Sequence, residues 1–80
     1  MAKAAVMEEA KAAWSVQAIG EAAGQVWNAL QRLGRTNISA LEREVSAPLT
    51  LTHMGIGWLA REGKIQIQQD KRATAIWLTE

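Results

Sequence analysis

The sequence has no cysteine, no phenylalanine and no tyrosine, and it has one proline and one histidine. Without cysteine there are no disulfides and no thiolate metal sites. His53 stands alone, and no pair of acids has a spacing that supports acid–base work or metal binding, so the chain reads as a non-enzyme without a cofactor or metal site. Gly55-x-Gly57 lacks the strand–loop–helix setting of a phosphate-binding loop, and no small-molecule site is evident. Long apolar runs are missing too. The longest uncharged stretch, Val45 to Leu59, contains Ser, Pro, Thr and His and is too short and too polar to span a bilayer. Lys3, Glu8, Glu9 and Lys11 among alanines match neither the apolar core of a signal peptide nor an acid-free transit peptide. A cytoplasmic location and no membrane partner are the expectation. A large charge of one sign is also absent, since nine Lys plus Arg stand against eight Asp plus Glu.

What remains is an ordinary globular balance over 80 residues, with 49% hydrophobic and 21% charged side chains, too apolar for a disordered tail. A domain of this size buries only about 60% of its unfolded surface, so its helices must pack well or a second subunit must cover apolar area. A homodimer is therefore expected. The aromatic surface is concentrated in Trp14, Trp27, Trp58 and Trp77.

Residues 1–13 are alanine-rich helix formers without a wide apolar stripe, with only Val6, Ala10 and Trp14 sharing a face. They read either as an extension with a frayed helix or as a docked one, ahead of a domain at 14–80. Ser15 is a good N-cap, with Trp14 and Ile19 at staple spacing. Val16, Ile19, Ala23, Val26, Trp27, Leu30 and Leu33 then recur at three- and four-residue intervals, and Gly34 closes this first core helix. Gly20 and Gly24 share one of its faces and suggest close approach by another element of the same domain. Thr36-Asn37-Ile38 reads as a short extended stretch, and Ser39-x-x-Glu42 has capping-box spacing for a second helix to about Val45 with Leu41 and Val45 inward. A third helix enters through Ser46-Ala47-Pro48 and runs to about Glu62 before Gly63. Lys64–Gln69 and Ala73–Thr79 read as two strands of a hairpin around Asp70-Lys71-Arg72, with Trp77 on the face opposite Ile76 and Leu78.

This element order is that of a winged helix-turn-helix domain, an α+β, mainly α fold of three helices and a β-hairpin wing. Leu59-Ala60-Arg61-Glu62-Gly63-Lys64-Ile65 resembles the exit of the third helix in that superfamily. The longer string from Gly57-Trp58, together with Ile19-Gly20 and Ala23-Gly24-x-x-Trp27, resembles a narrower family of small prokaryotic winged-helix domains of unassigned role, over residues 15–79. The resemblance implies the fold and a capacity for DNA binding, with no established role; on that fold we expect binding to duplex DNA in a regulatory setting. The Pro48-Leu49-Thr50 entry departs from the acidic or serine-rich helix starts that are commoner there.

In such a fold the third helix enters the major groove. Counting about 100° per residue from Leu59 and Gly63, Thr52, Gly55, Ile56 and Leu59 face the core. Thr50, His53, Met54, Gly57, Trp58 and Arg61 face out or flank that side. Of these only Thr50, His53 and Arg61 hydrogen-bond, which equips the helix poorly for reading bases. Residues 32–80 carry seven bases against five acids, and Lys64, Lys71 and Arg72 lie in or around the wing, where they suit phosphates. The DNA-binding set is thus Thr50, His53, Arg61, Lys64, Lys71 and Arg72. The competing reading is a homodimeric or protein–protein interaction module that does not bind DNA. It rests on Met54, Gly57 and Trp58 as an outward apolar patch, with Trp77 on the far face of the hairpin. Against it stands the option that Trp58 folds back onto its own domain.

Overall fold

A computed structural model describes residues 15–79 of the chain. Ser15 is extended, and its hydroxyl accepts the amide of Ala18, which starts helix α1 at Val16–Leu33. Gly34 ends it at φ 70, donating its N–H to the Leu30 carbonyl, a backbone region that glycine enters without strain. Strand β1 (Thr36–Asn37) follows, then helix α2 (Ile38–Glu44), helix α3 (Leu49–Arg61) and strands β2 (Ile65–Gln69) and β3 (Thr74–Leu78). The element order is the one expected. Trp14 and the face shared by Val6, Ala10 and Trp14 lie outside the described residues.

Two local assignments change. The cap of α2 is Asn37, whose Oδ1 accepts the Ala40 amide at 2.8 Å, and Ile38 is the first helical residue rather than the end of an extended stretch. Ser39 therefore does not head a capping box, and its partner Glu42 turns elsewhere, as described below. Val45, extended, is the C-cap and stays buried. Helix α3 begins one residue after Pro48, which forms its cap without a side-chain bond; the buried Thr52 hydroxyl reaches back to the Ala47 and Pro48 carbonyls. That contact satisfies a polar group at full burial.

The strands form one antiparallel sheet in the order β1-β3-β2. Ile65 pairs with Leu78, Ile67 with Ile76 and Thr36 with Ile76, so these residues share the face turned to the helices. Gln66, Gln68, Ala75 and Trp77 share the outer face, where the alternation of the sequence puts them. The core joins Ala23, Val26, Ala29 and Leu30 of α1 to Leu41, Val45, Ile56, Leu59, Ile65 and Ile76. Three residues assigned to the inner stripe of α1 lie outside it: Val16 is 71% exposed, Trp27 39% and Leu33 37%. Val16 and Leu33 are the terminal residues of a helix about 27 Å long, and the core is shorter than that. Helices α1 and α3 approach closely at Gly55. A Cβ built there would stand 2.8 Å from the Ala23 nitrogen and 3.0 Å from the Ala22 carbonyl carbon. Of the two glycines on α1, Gly20 receives the Trp58 ring at 3.7 Å from its would-be Cβ, whereas Gly24 has nothing described within 4 Å.

Candidate nucleic-acid interface

Helix α3 presents the face that the sequence assigns to it. Thr52, Gly55, Ile56 and Leu59 are buried together with Leu51, while Thr50, His53, Gly57 and Arg61 are exposed and Met54 is half-buried. Thr50 and Arg61 stand at opposite ends of a helix about 20 Å long. Between them the one polar side chain capable of reading a base edge is already engaged. His53 Nε2 donates to Glu42 Oε2 across 2.6 Å, tying α3 to α2. This bond occupies Nε2 and sets a carboxylate beside the surface that would face a polyanion, which opposes phosphate approach.

The cations of the hairpin lie in two places. Lys64 precedes β2, and Lys71 and Arg72 form the turn after it, about 20 Å away along the strand. They are not one patch. The turn is ordered by Asp70, whose Oδ1 accepts the amides of Arg72 at 2.9 Å and Ala73 at 3.0 Å. Those two backbone donors, Arg72 first, hold the Asp70 carboxyl below the ordinary aspartate range, with slight desolvation opposing them. Arg72 then lines a polar cleft with Arg43, Asn37, Ser39 and Thr74, between the start of α2 and the root of β3. Arg43 is an exposed residue of α2. Only the fold brings it to Arg72, since nothing local links positions 43 and 72. Among the described residues the ion pairs are Arg32–Glu44 and His53–Glu42, so Arg43, Arg61, Lys64, Lys71 and Arg72 carry no carboxylate partner there.

The tryptophans divide between two further surfaces. Trp58, 38% exposed, leans toward Gly20, and with Trp27, Gly24 and Asn28 of α1 it lines a groove that continues to Gly63 and Lys64. Trp58 therefore folds partly onto its own domain and keeps an open edge. Trp77 lines a different cleft with Leu30, Gln31 and Gly34, and the Arg35 guanidinium lies 3.9 Å from its ring centroid. That stacking half-covers the ring, and Arg35 also donates to Gln68 at 3.3 Å. The structure thus keeps Met54, Gly57 and Trp58 on α3 and places Trp77 apart from them.

Three helices with a helix–turn–helix between α2 and α3, followed by a hairpin paired to a short strand before α2, define the winged helix-turn-helix class. The match extends to a family model: residues 7–78 fit the Winged helix-turn-helix domain (DUF2582), and the chain belongs to that family. No curated protein matches the chain. No helix among the described residues is long and apolar enough to cross a membrane, and none of their His and acidic side chains cluster as a metal site.

Proposed function

We propose that this domain binds duplex DNA in a regulatory, non-catalytic role, chiefly through phosphates and with little base selectivity. The observation that carries the reading is the wing turn. Lys71 and Arg72, free of carboxylate partners among the described residues, stand on a turn that Asp70 orders, and Arg72 shares a cleft with Arg43. Phosphate contact needs cations at fixed positions and releases counterions on binding, whereas base reading needs donors on α3, where His53 is tied to Glu42. The test is fluorescence polarisation of a labelled random duplex across a salt series. Removing both wing cations, Lys71→Ala with Arg72→Ala, lowers affinity and flattens the slope of log K against log[salt] by about 1 per lost contact. Absence of binding at low salt, or an unchanged slope in the double variant, refutes it.

A second reading is favoured by the apolar groove between α1 and α3. Trp27 and Trp58 stand half-open across the small residues Gly20 and Gly24, a composition suited to a protein partner rather than to a phosphate backbone. On that reading Trp58→Ala weakens association while leaving the domain folded, and DNA is ignored even at low salt.

A further inference from the structure

We infer that strand β2 is a self-complementary edge that pairs antiparallel with β2 of a second copy of this chain, about a two-fold axis through Ile67. The inference is independent of the DNA reading. Strand β2 is the outer strand of the sheet, and no other described strand pairs with its far side. The ladder to β3 fixes which backbone groups point that way. Thr79 N–H donates to the Lys64 carbonyl and Asp70 N–H to the Ala73 carbonyl, so the Lys64 carbonyl, both backbone groups of Gln66 and Gln68 and the Asp70 N–H point to β3, while the Lys64 N–H donates to the Leu59 carbonyl. The N–H and C=O groups of Ile65, Ile67 and Gln69 consequently point to the open edge.

Native edge strands are commonly blunted by a charge, a proline or a bulge, because a free row of donors and acceptors recruits another strand. Ile65-Gln66-Ile67-Gln68-Gln69 has none of these, and four of its five residues are exposed. Its charges lie at its flanks with opposite signs, Lys64 before and Asp70 after. Pairing about Ile67 sets Ile67 against Ile67, Ile65 against Gln69 and Gln66 against Gln68 of the second copy. It also sets each Lys64 against the other chain's Asp70. This register places all three edge residues in hydrogen-bonded pairs, giving about six bonds between the chains. A two-fold centred on Gln66 or Gln68 uses fewer of them and forfeits the ion pairs. The Lys64–Asp70 pairs fall at non-hydrogen-bonded positions, where side chains are closest. Asp70 is equipped for this, since both of its turn bonds use Oδ1 and leave Oδ2 free. Ile67 gains most: it lies on the helix-facing side of the sheet yet is 45% exposed, and in the pair it is covered by its own symmetry mate. Five residues a side make a small interface, so the dimer is weak and concentration-dependent.

The full 80-residue chain is examined by sedimentation equilibrium up to about 1 mM, with amide exchange followed by NMR over the same range. The expected result is a monomer–dimer equilibrium in which the amides of Ile65, Ile67 and Gln69 slow with concentration while those of Gln66 and Gln68 do not. Because the chain has no cysteine, register is read by crosslinking. Oxidised Ile67→Cys forms a disulfide dimer at least about ten-fold faster than Gln69→Cys, since opposed residues at 67 lie within disulfide reach and those at 69 are about 13 Å apart. Ile67→Lys, at an exposed position and checked for an unchanged melting temperature, abolishes the dimer. A chain that stays monomeric at 1 mM, a dimer indifferent to Ile67→Lys, or equal crosslinking at 67 and 69 overturns the inference.

Discussion

Replacing Gly55 by alanine tests the packing that positions α3. An added Cβ would meet the Ala23 nitrogen at 2.8 Å and the Ala22 carbonyl carbon and Ala23 Cα at 3.0 Å. All three are backbone atoms of α1, so no side chain can rotate aside; the helices must separate by roughly half an ångström, which loosens Thr52, Ile56 and Leu59 along the same seam. Alanine is favoured over glycine within a helix by about 1 kcal/mol. Overpacking costs about 1–3 kcal/mol, and contact with rigid backbone lies at the upper end of that range, so the net loss is about 2 kcal/mol. For a domain of this size that is a fall in melting temperature of about 10 °C. Gly57→Ala provides the opposite sign on the same helix: nothing described lies within 4 Å of its would-be Cβ, so the helix-forming gain is expressed and the melting temperature rises by a few degrees, about 1 kcal/mol at most. Thermal unfolding followed by circular dichroism at 222 nm, with urea titration to confirm an unchanged m-value, reads both variants. Equal or higher stability in Gly55→Ala would refute the close crossing.

Three further outcomes follow from local geometry. Asn37→Ala costs about 1 kcal/mol by removing the cap on Ala40, whereas Ser39→Ala changes melting by little; the reverse order in thermal melts would restore Ser39 as the cap. Because the folded pKa of Asp70 is depressed, its contribution to wing order is complete above the aspartate pKa of the unfolded chain and is lost as pH falls through the folded value. An NMR titration of the Arg72 and Ala73 amides should therefore show a midpoint below about 3.9, and a midpoint at or above it contradicts the turn geometry. Arg35→Ala uncovers Trp77 and costs about 0.5–1 kcal/mol; an unchanged exposure of that indole to a soluble fluorescence quencher, measured with Trp14, Trp27 and Trp58 replaced, would show that Arg35 does not cover it.

What the sequence made legible was whatever depends on near neighbours. Alternation over residues 64–69 and 73–79 put Trp77 opposite Ile76 and Leu78 because side chains alternate wherever a strand forms. The glycine stops at Gly34 and Gly63 were equally readable, since both adopt the positive φ that glycine alone takes cheaply. The failures were competitions between alternatives that are locally equal. Asn37 and Ser39 are both good caps, and the capping box needed Glu42 to turn back on its own helix; Glu42 instead reaches His53, 11 residues on, a partner that no spacing rule selects. In the same way Gly20 and Gly24 advertised a close approach, while the helix crossing falls at Gly55, because spacing tells which residues are small and not which helix lies across them.

The same limit governs the candidate site. The count of cations after residue 32 was readable, yet their potential is decided by pairings that only the fold makes: Arg32 is neutralised by Glu44, Arg35 is laid over Trp77, and Arg43 is brought to Arg72. The cations left to phosphates among the described residues are therefore Arg43, Arg61 and, on the wing, Lys64, Lys71 and Arg72, and the wing is also the element whose edge is self-complementary. Under pairing about Ile67, Lys64 of each copy is set against Asp70 of the other, so a wing cation that would meet phosphate is drawn to a carboxylate. The two surfaces are then linked, and linkage is reciprocal: pairing lowers phosphate affinity by the same factor by which bound DNA weakens the pair. On that argument Ile67→Lys has an effect that charge alone does not give, because it frees both Lys64 side chains, and the gain in DNA affinity should grow with protein concentration rather than stay constant.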